Sequence, residues 1–207
     1  MPKRQTGALL IICAVVLALV TTAVAIIGGT AAIAVGGAGY LLLVACVGFL
    51  GVGVALLSAS GPIFGGTLAR RAMKALAFGL VADSVILGLL TLPGFEGSNM
   101  MVLFIPFFVS GWATIIGAGL TVLALVTAGG RSRKVGAMFL AAPAALFVVN
   151  ALVNDLSGSE GARLLAIAFG AVAGGALLLG FVGLAWLAWD GAASTVVVEA
   201  AGERDIG

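Results

Sequence analysis

Histidine is absent from the sequence, cysteine occurs twice, and charged residues make up only 9% of its 207 positions. Each shortage excludes something. Without imidazole there is no His-ligated haem, no His-based zinc site and no catalytic triad built on histidine. Cys13 and Cys46 lack metal-ligand spacing, and the topology derived below puts them at different depths, which argues against a disulfide. They read as small apolar packing residues. A soluble domain carries about a quarter charged residues, so the shortfall places the chain in the membrane class. The formal net charge of +2 is too small to suggest a nucleic-acid partner. Also missing are paired carboxylates within one apolar run, a phosphate-binding glycine loop with its lysine, and a serine with a base beside it. Neither enzymatic activity nor a cofactor is expected.

What is present is apolar: 62% of residues are hydrophobic and the mean hydropathy is +1.29. Charge-free runs cover 65 residues (5–69), 34 residues (97–130), 20 residues (135–154) and 26 residues (164–189). About 20 apolar residues of helix cross a hydrocarbon core about 30 Å thick, so the first run must fold back on itself. Glycine and alanine are too abundant for a bulky soluble core, but they suit helices that approach closely in lipid. The expected fold is all-α, a polytopic transmembrane bundle of six helices over about 7–27, 38–58, 73–92, 101–126, 135–153 and 162–189. These form one membrane domain, and residues 190–207 are a short acidic tail.

Local chemistry sets these boundaries. Gly28-Gly29-Thr30 and Gly36-Gly37-Ala38-Gly39 place a turn within 28–37. A cleaved signal peptide is the rival reading of the first helix, with Ala23-Val24-Ala25 as the cleavage site, although the apolar stretch continues beyond it. Pro106 and Pro143 interrupt the fourth and fifth helices. Gly170-x-x-x-Gly174 reads as a close-packing motif in the sixth, and Trp186 and Trp189 as its interfacial belt.

The basic residues set the orientation. Arg70, Arg71 and Lys74 mark one cytoplasmic loop and Arg131, Arg133 and Lys134 another. With Lys3, Arg4 and Arg204 they put nine of the ten Lys and Arg residues on one side, Arg163 being the exception. The positive-inside rule makes that side cytoplasmic, with both termini inside. Small loops and the absence of soluble domains suggest a bacterial inner membrane. The two basic loops would attract anionic lipid headgroups.

Asp83 is the only ionisable residue expected deep within a span, about nine residues or 13 Å beyond Lys74. An acid at that depth is costly and faces the bundle interior, commonly in a functional role. Two readings stay open: a proton or cation site, or a structural acid hydrogen-bonded to Ser84, Thr121 or a backbone carbonyl. Trp112 and Asn150 are candidates to line a ligand cavity near it, with aromatic packing between helices the alternative for Trp112.

Gly66-x-x-Ala69-Arg70, eight residues, then Gly79-x-x-x-Asp83 resembles part of the CDP-alcohol phosphotransferase signature. That signature reads Asp-x-x-Asp-Gly-x-x-Ala-Arg, eight residues, Gly-x-x-x-Asp-x-x-x-Asp, at the junction of the second and third of six helices. The family's chemistry depends on four aspartates holding two metals. Pro62, Gly65 and Leu87 stand where three of them belong, so the resemblance implies at most a non-catalytic, lipid-handling relative without a metal site. Two further functional expectations come from the residues themselves. One is a small-solute or ion transporter, or a membrane subunit of one, coupled through Asp83. The other is an accessory or scaffold subunit that packs its small-residue faces on another membrane protein.

Overall fold

The computed structural model describes residues 3–34, 38–61, 66–90, 100–155 and 160–204. They form six α-helices: α1 (Lys3–Ala34), α2 (Ala38–Ala59), α3 (Gly66–Leu90), α4 (Met100–Ala128), α5 (Gly130–Asp155) and α6 (Glu160–Arg204). Among the described residues, α1, α2, α3, α4 and α6 each hold a stretch long and apolar enough to cross a bilayer. The chain is an integral membrane protein built as a helical bundle. Helix is the expected backbone solution in lipid, because every N–H and C=O must find its partner within the segment.

Each helix packs on its neighbours in the chain, and α6 returns to α1, so the six close into a ring. The main apolar cluster takes residues from every helix: Ile11, Leu57, Met73, Leu125, Val135 and Leu184 are among its members. These come from the starts of α1, α3 and α5, the ends of α2 and α4, and the later part of α6. The helices therefore alternate in direction, and the core lies towards the end of the ring where the basic residues cluster.

The basic residues are not in loops. Arg70, Arg71 and Lys74 lie on the first turns of α3, and Arg131, Arg133 and Lys134 on the first turns of α5. Long Lys and Arg stems carry their charges to the headgroups from a continuing helix, so the helix need not stop at the hydrocarbon boundary. The expected loop over 129–134 shrinks to Gly129, with Gly130 opening α5, and their φ are 76° and 55°. That is left-handed backbone, which glycine adopts without a Cβ penalty. Nearby, the Arg70 Nε–H donates to the carbonyl of Ser58 at 3.2 Å, covering a carbonyl at the end of α2.

Other expectations also shift. Helix α1 runs through Gly28-Gly29-Thr30 to Ala34, in keeping with the frequency of glycine inside membrane helices. Positions 35–37 lie outside the described residues. The thiol of Cys46 donates to the Ala14 carbonyl at 3.2 Å, so Cys13 and Cys46 share a level instead of lying at different depths. Both are free, and Cys13 is exposed. The register of α1 on α2 produces this: Gly7 faces Gly53, where an added Cβ would lie 2.9 Å from the Gly7 carbonyl. Gly170 and Gly174 face open space, whereas Gly180 and Gly183 press on Phe139 and Val135 of α5. A motif sets a spacing but not the face of the helix that meets a neighbour.

Helix α6 continues unbroken for 45 residues, about 67 Å at the standard rise, and so carries the acidic segment beyond Trp189 as helix. At the basic end, the Arg131 guanidinium donates to Asp190 of α6 at 2.8 Å. Arg131 is 81% exposed and Asp190 44%, so water screens the pair. Asp190→Asn is expected to change thermal stability by less than about 1 kcal/mol, measured as melting in detergent at low and high salt.

Candidate functional site

The crossing of α3 and α4 is built on two glycines. A Cβ on Gly79 would meet the Thr114 hydroxyl, the Thr114 backbone nitrogen at 2.6 Å and the Ser110 carbonyl at 2.9 Å. One on Gly117 would meet the backbone nitrogen of Leu76, its Cα at 2.7 Å and the Ala75 carbonyl carbon at 2.9 Å. Only residues without a side chain allow the two backbones this close.

One helical turn beyond Gly79, on the same face, stands Asp83. The close crossing brings two hydroxyls of α4 against it. Ser110 Oγ–H donates to Asp83 Oδ1 at 2.5 Å, and Thr114 Oγ1–H donates to Oδ2 at 2.9 Å. Each carboxyl oxygen thus has its own hydroxyl partner. Ser110 is 2% exposed, and its oxygen also lies 3.1 Å from the Phe107 carbonyl. An intramembrane acid is here satisfied by neutral donors, which removes much of the desolvation penalty of an unpaired polar group.

The remaining sequence-predicted residues lie elsewhere. Ser84 donates across α2 to the Val44 carbonyl at 2.9 Å and touches Gly48, so it belongs to the α2–α3 contact. Thr121 is buried but turns back on its own helix, donating to the Gly117 carbonyl at 2.7 Å. Trp112 is 51% exposed, edge-on to Phe108 with centroids 6.1 Å apart. Two positions from Ser110 and from Thr114, it points away from the acid, which favours aromatic packing over cavity lining. The side chain of Asn150 lies outside the described residues. Asp83 is thus brought together with neither Ser84, Thr121 nor Trp112.

The partners that sequence reasoning missed, Ser110 and Thr114, do carry a signal. Ser110, Thr114, Gly117 and Thr121 follow one another at intervals of four, three and four residues, a small and hydroxyl-bearing stripe along one face of α4. Such a stripe marks the face a neighbouring helix approaches.

An apolar groove of about 630 Å³ runs beside the site between α2, α3 and α4, from Lys74 past Phe78, Val81 and Val85 to Pro106 and Ser110. Ser110, which bonds Asp83, is among its lining residues.

No family model, curated protein or solved structure matches this chain.

One carboxyl and two hydroxyls make an all-oxygen set. Each hydroxyl can donate or accept by rotation, so the cluster offers both donors and acceptors at fixed heavy-atom positions. Among the described residues no three His, Cys, Asp or Glu side chains gather, and a lone carboxylate is a poor anchor for a divalent ion. Gly79 and Asp83, which carry the phosphotransferase-like spacing, are used here for the helix crossing and the hydroxyl pair. Pro62 and Gly65 lie outside the described residues.

Proposed function

We propose that this is a small-solute or ion transport protein, or a membrane subunit of one, in which Asp83 is the proton- or cation-coupling group and Ser110 and Thr114 are its partners. The observation that carries the reading is the pairing of each Asp83 oxygen with a separate hydroxyl at a glycine crossing, next to a groove that reaches Ser110. Functional intramembrane acids are set among polar partners within a bundle in this manner. The basic residues on the first turns of α1, α3 and α5 support an orientation with that end in the cytoplasm, and a bacterial inner membrane is the setting we infer.

Asp83→Asn keeps the size and the acceptor oxygen but cannot titrate. In proteoliposomes carrying a pH-sensitive dye, its proton flux is expected to fall to that of protein-free vesicles while its melting temperature stays close to wild type. A flux equal to wild type in Asp83→Asn would sink the coupling role.

A second reading, an accessory subunit of a membrane complex, is favoured by the outer face of α4. Phe104, Ile105, Phe108, Trp112 and Ile115 are all more than half exposed along it, a surface suited to another membrane protein as well as to lipid. Under this reading Asp83→Asn leaves flux unchanged and substitutions along that face release a co-purifying polypeptide.

A further inference from the structure

A second groove lies on the opposite side of the ring. It is about 450 Å³, held between α5 and α6, and its floor and walls are Val135, Met138, Leu179, Val182 and Leu187. Its mouth is different in kind, because Arg131 and Lys134 stand there, with the exposed side chain of Trp186 beside them. Gly183 forms part of the lining and lies so close to Val135 that an added Cβ would come within 2.8 Å of its side chain.

We propose that this groove seats one phospholipid with an anionic headgroup. Three observations point to that occupant. The apolar part runs along α5 and α6 inside the hydrocarbon, where an acyl chain is the matching filler. The cations lie on the first turn of α5, immediately after the Gly129-Gly130 connection, so they stand at headgroup level. The indole is of the type that gathers at the interface between the two. Charge complementarity selects the headgroup. Asp190 offsets Arg131 through its 2.8 Å pair, but Lys134 leaves the mouth positive. The pair leaves the guanidinium further N–H donors to offer a phosphate. Basic pockets between membrane helices on the cytoplasmic side bind acidic headgroups in this way. The site is independent of the Asp83 cluster.

Trp186 is a built-in reporter. In a Trp112→Phe, Trp189→Phe background it is the sole tryptophan, and lipids with brominated chains quench it on contact. In nanodiscs of phosphatidylcholine, brominated phosphatidylglycerol is expected to quench at a lower mole fraction than brominated phosphatidylcholine, by about fivefold for each cation engaged. Lys134→Gln with Arg131→Gln should abolish the preference, whereas Arg133→Gln, outside the groove, should keep most of it. Unchanged Trp186 emission in pure phosphatidylcholine shows that the variants remain folded. Equal quenching by the two lipids overturns the proposal. So does an equal loss with Arg133→Gln, the mark of diffuse surface attraction, and so does displacement of the brominated lipid by inorganic phosphate, the mark of a free-anion site.

Discussion

Gly79→Ala is expected to destabilise the bundle by about 1–3 kcal/mol, the range for adding a methyl group to a filled interior. The cost arises because the new Cβ would sit 2.6 Å from the backbone nitrogen of Thr114 and 2.9 Å from the carbonyl of Ser110. Neither can swing aside as a side-chain tip could, so α3 and α4 must separate. Separation also draws Ser110 and Thr114 off Asp83, so the packing loss and the hydrogen-bond loss come together. Gly117→Ala should behave alike, since its Cβ would meet the Leu76 Cα at 2.7 Å. The two changes should be less than additive when combined, because either one already opens the same interface. Gly119→Ala and Gly174→Ala are the controls. Each would add its Cβ into open space, and alanine is the better helix former, so stability should hold. Melting of the four variants in one mild detergent checks the set, and a Gly79→Ala protein that melts with the controls would contradict the crossing.

Removing the donors around Asp83 is expected to cost more than removing Asp83 itself. Ser110→Ala with Thr114→Val strips both hydroxyls from a half-buried carboxyl, and each buried polar atom left unsatisfied costs about 1–3 kcal/mol. Asp83→Leu leaves two hydroxyls instead, and these have somewhere to turn. Ser110 Oγ already lies 3.1 Å from the Phe107 carbonyl. Thr114 can donate to the carbonyl four residues back, as Thr121 does to Gly117 and Thr127 to Leu123 at 2.7 Å and 2.9 Å. Adding Asp83→Leu to the double variant should therefore restore part of its lost stability. A double-mutant cycle between the acid and the hydroxyl pair should show a coupling of about 0.5–3 kcal/mol. If Asp83→Leu alone melts below the double variant, the fallback bonds do not form and the asymmetry is wrong.

The phosphotransferase-like spacing illustrates how a local pattern can arise from packing. A glycine four residues before an aspartate is what a helix needs to bring its backbone against a neighbour and then present an acid to that neighbour's hydroxyls. The same arrangement makes both residues useful with no metal involved. The Gly170 and Gly174 pair teaches the complementary lesson, since its spacing suits close packing and yet open space lies on that side of α6.

By itself, the sequence determined that the chain is a membrane-type bundle of six helices, that five of the expected spans overlap stretches apolar enough to cross a bilayer among the described residues, which end is basic, and that Asp83 falls within the third of those stretches. All of these are sums over neighbouring residues: hydropathy and charge act on a segment wherever it stands, and the bilayer thickness converts the sum into a span. Only the tertiary structure decided what meets what. It chose Ser110 and Thr114 over Ser84 and Thr121, turned Trp112 away from the acid, brought Cys13 and Cys46 to one level, made α6 close the ring on α1, and put the basic residues of α3 and α5 on helices. Those outcomes depend on the axial register and rotation of one helix against another. A shift of a single residue turns a helical face by 100°, and in lipid the pattern of apolar residues does little to select among rotations, because the solvent is as apolar as the interface. Glycine contacts and hydroxyl pairs make that choice, and they exist only once two helices have met.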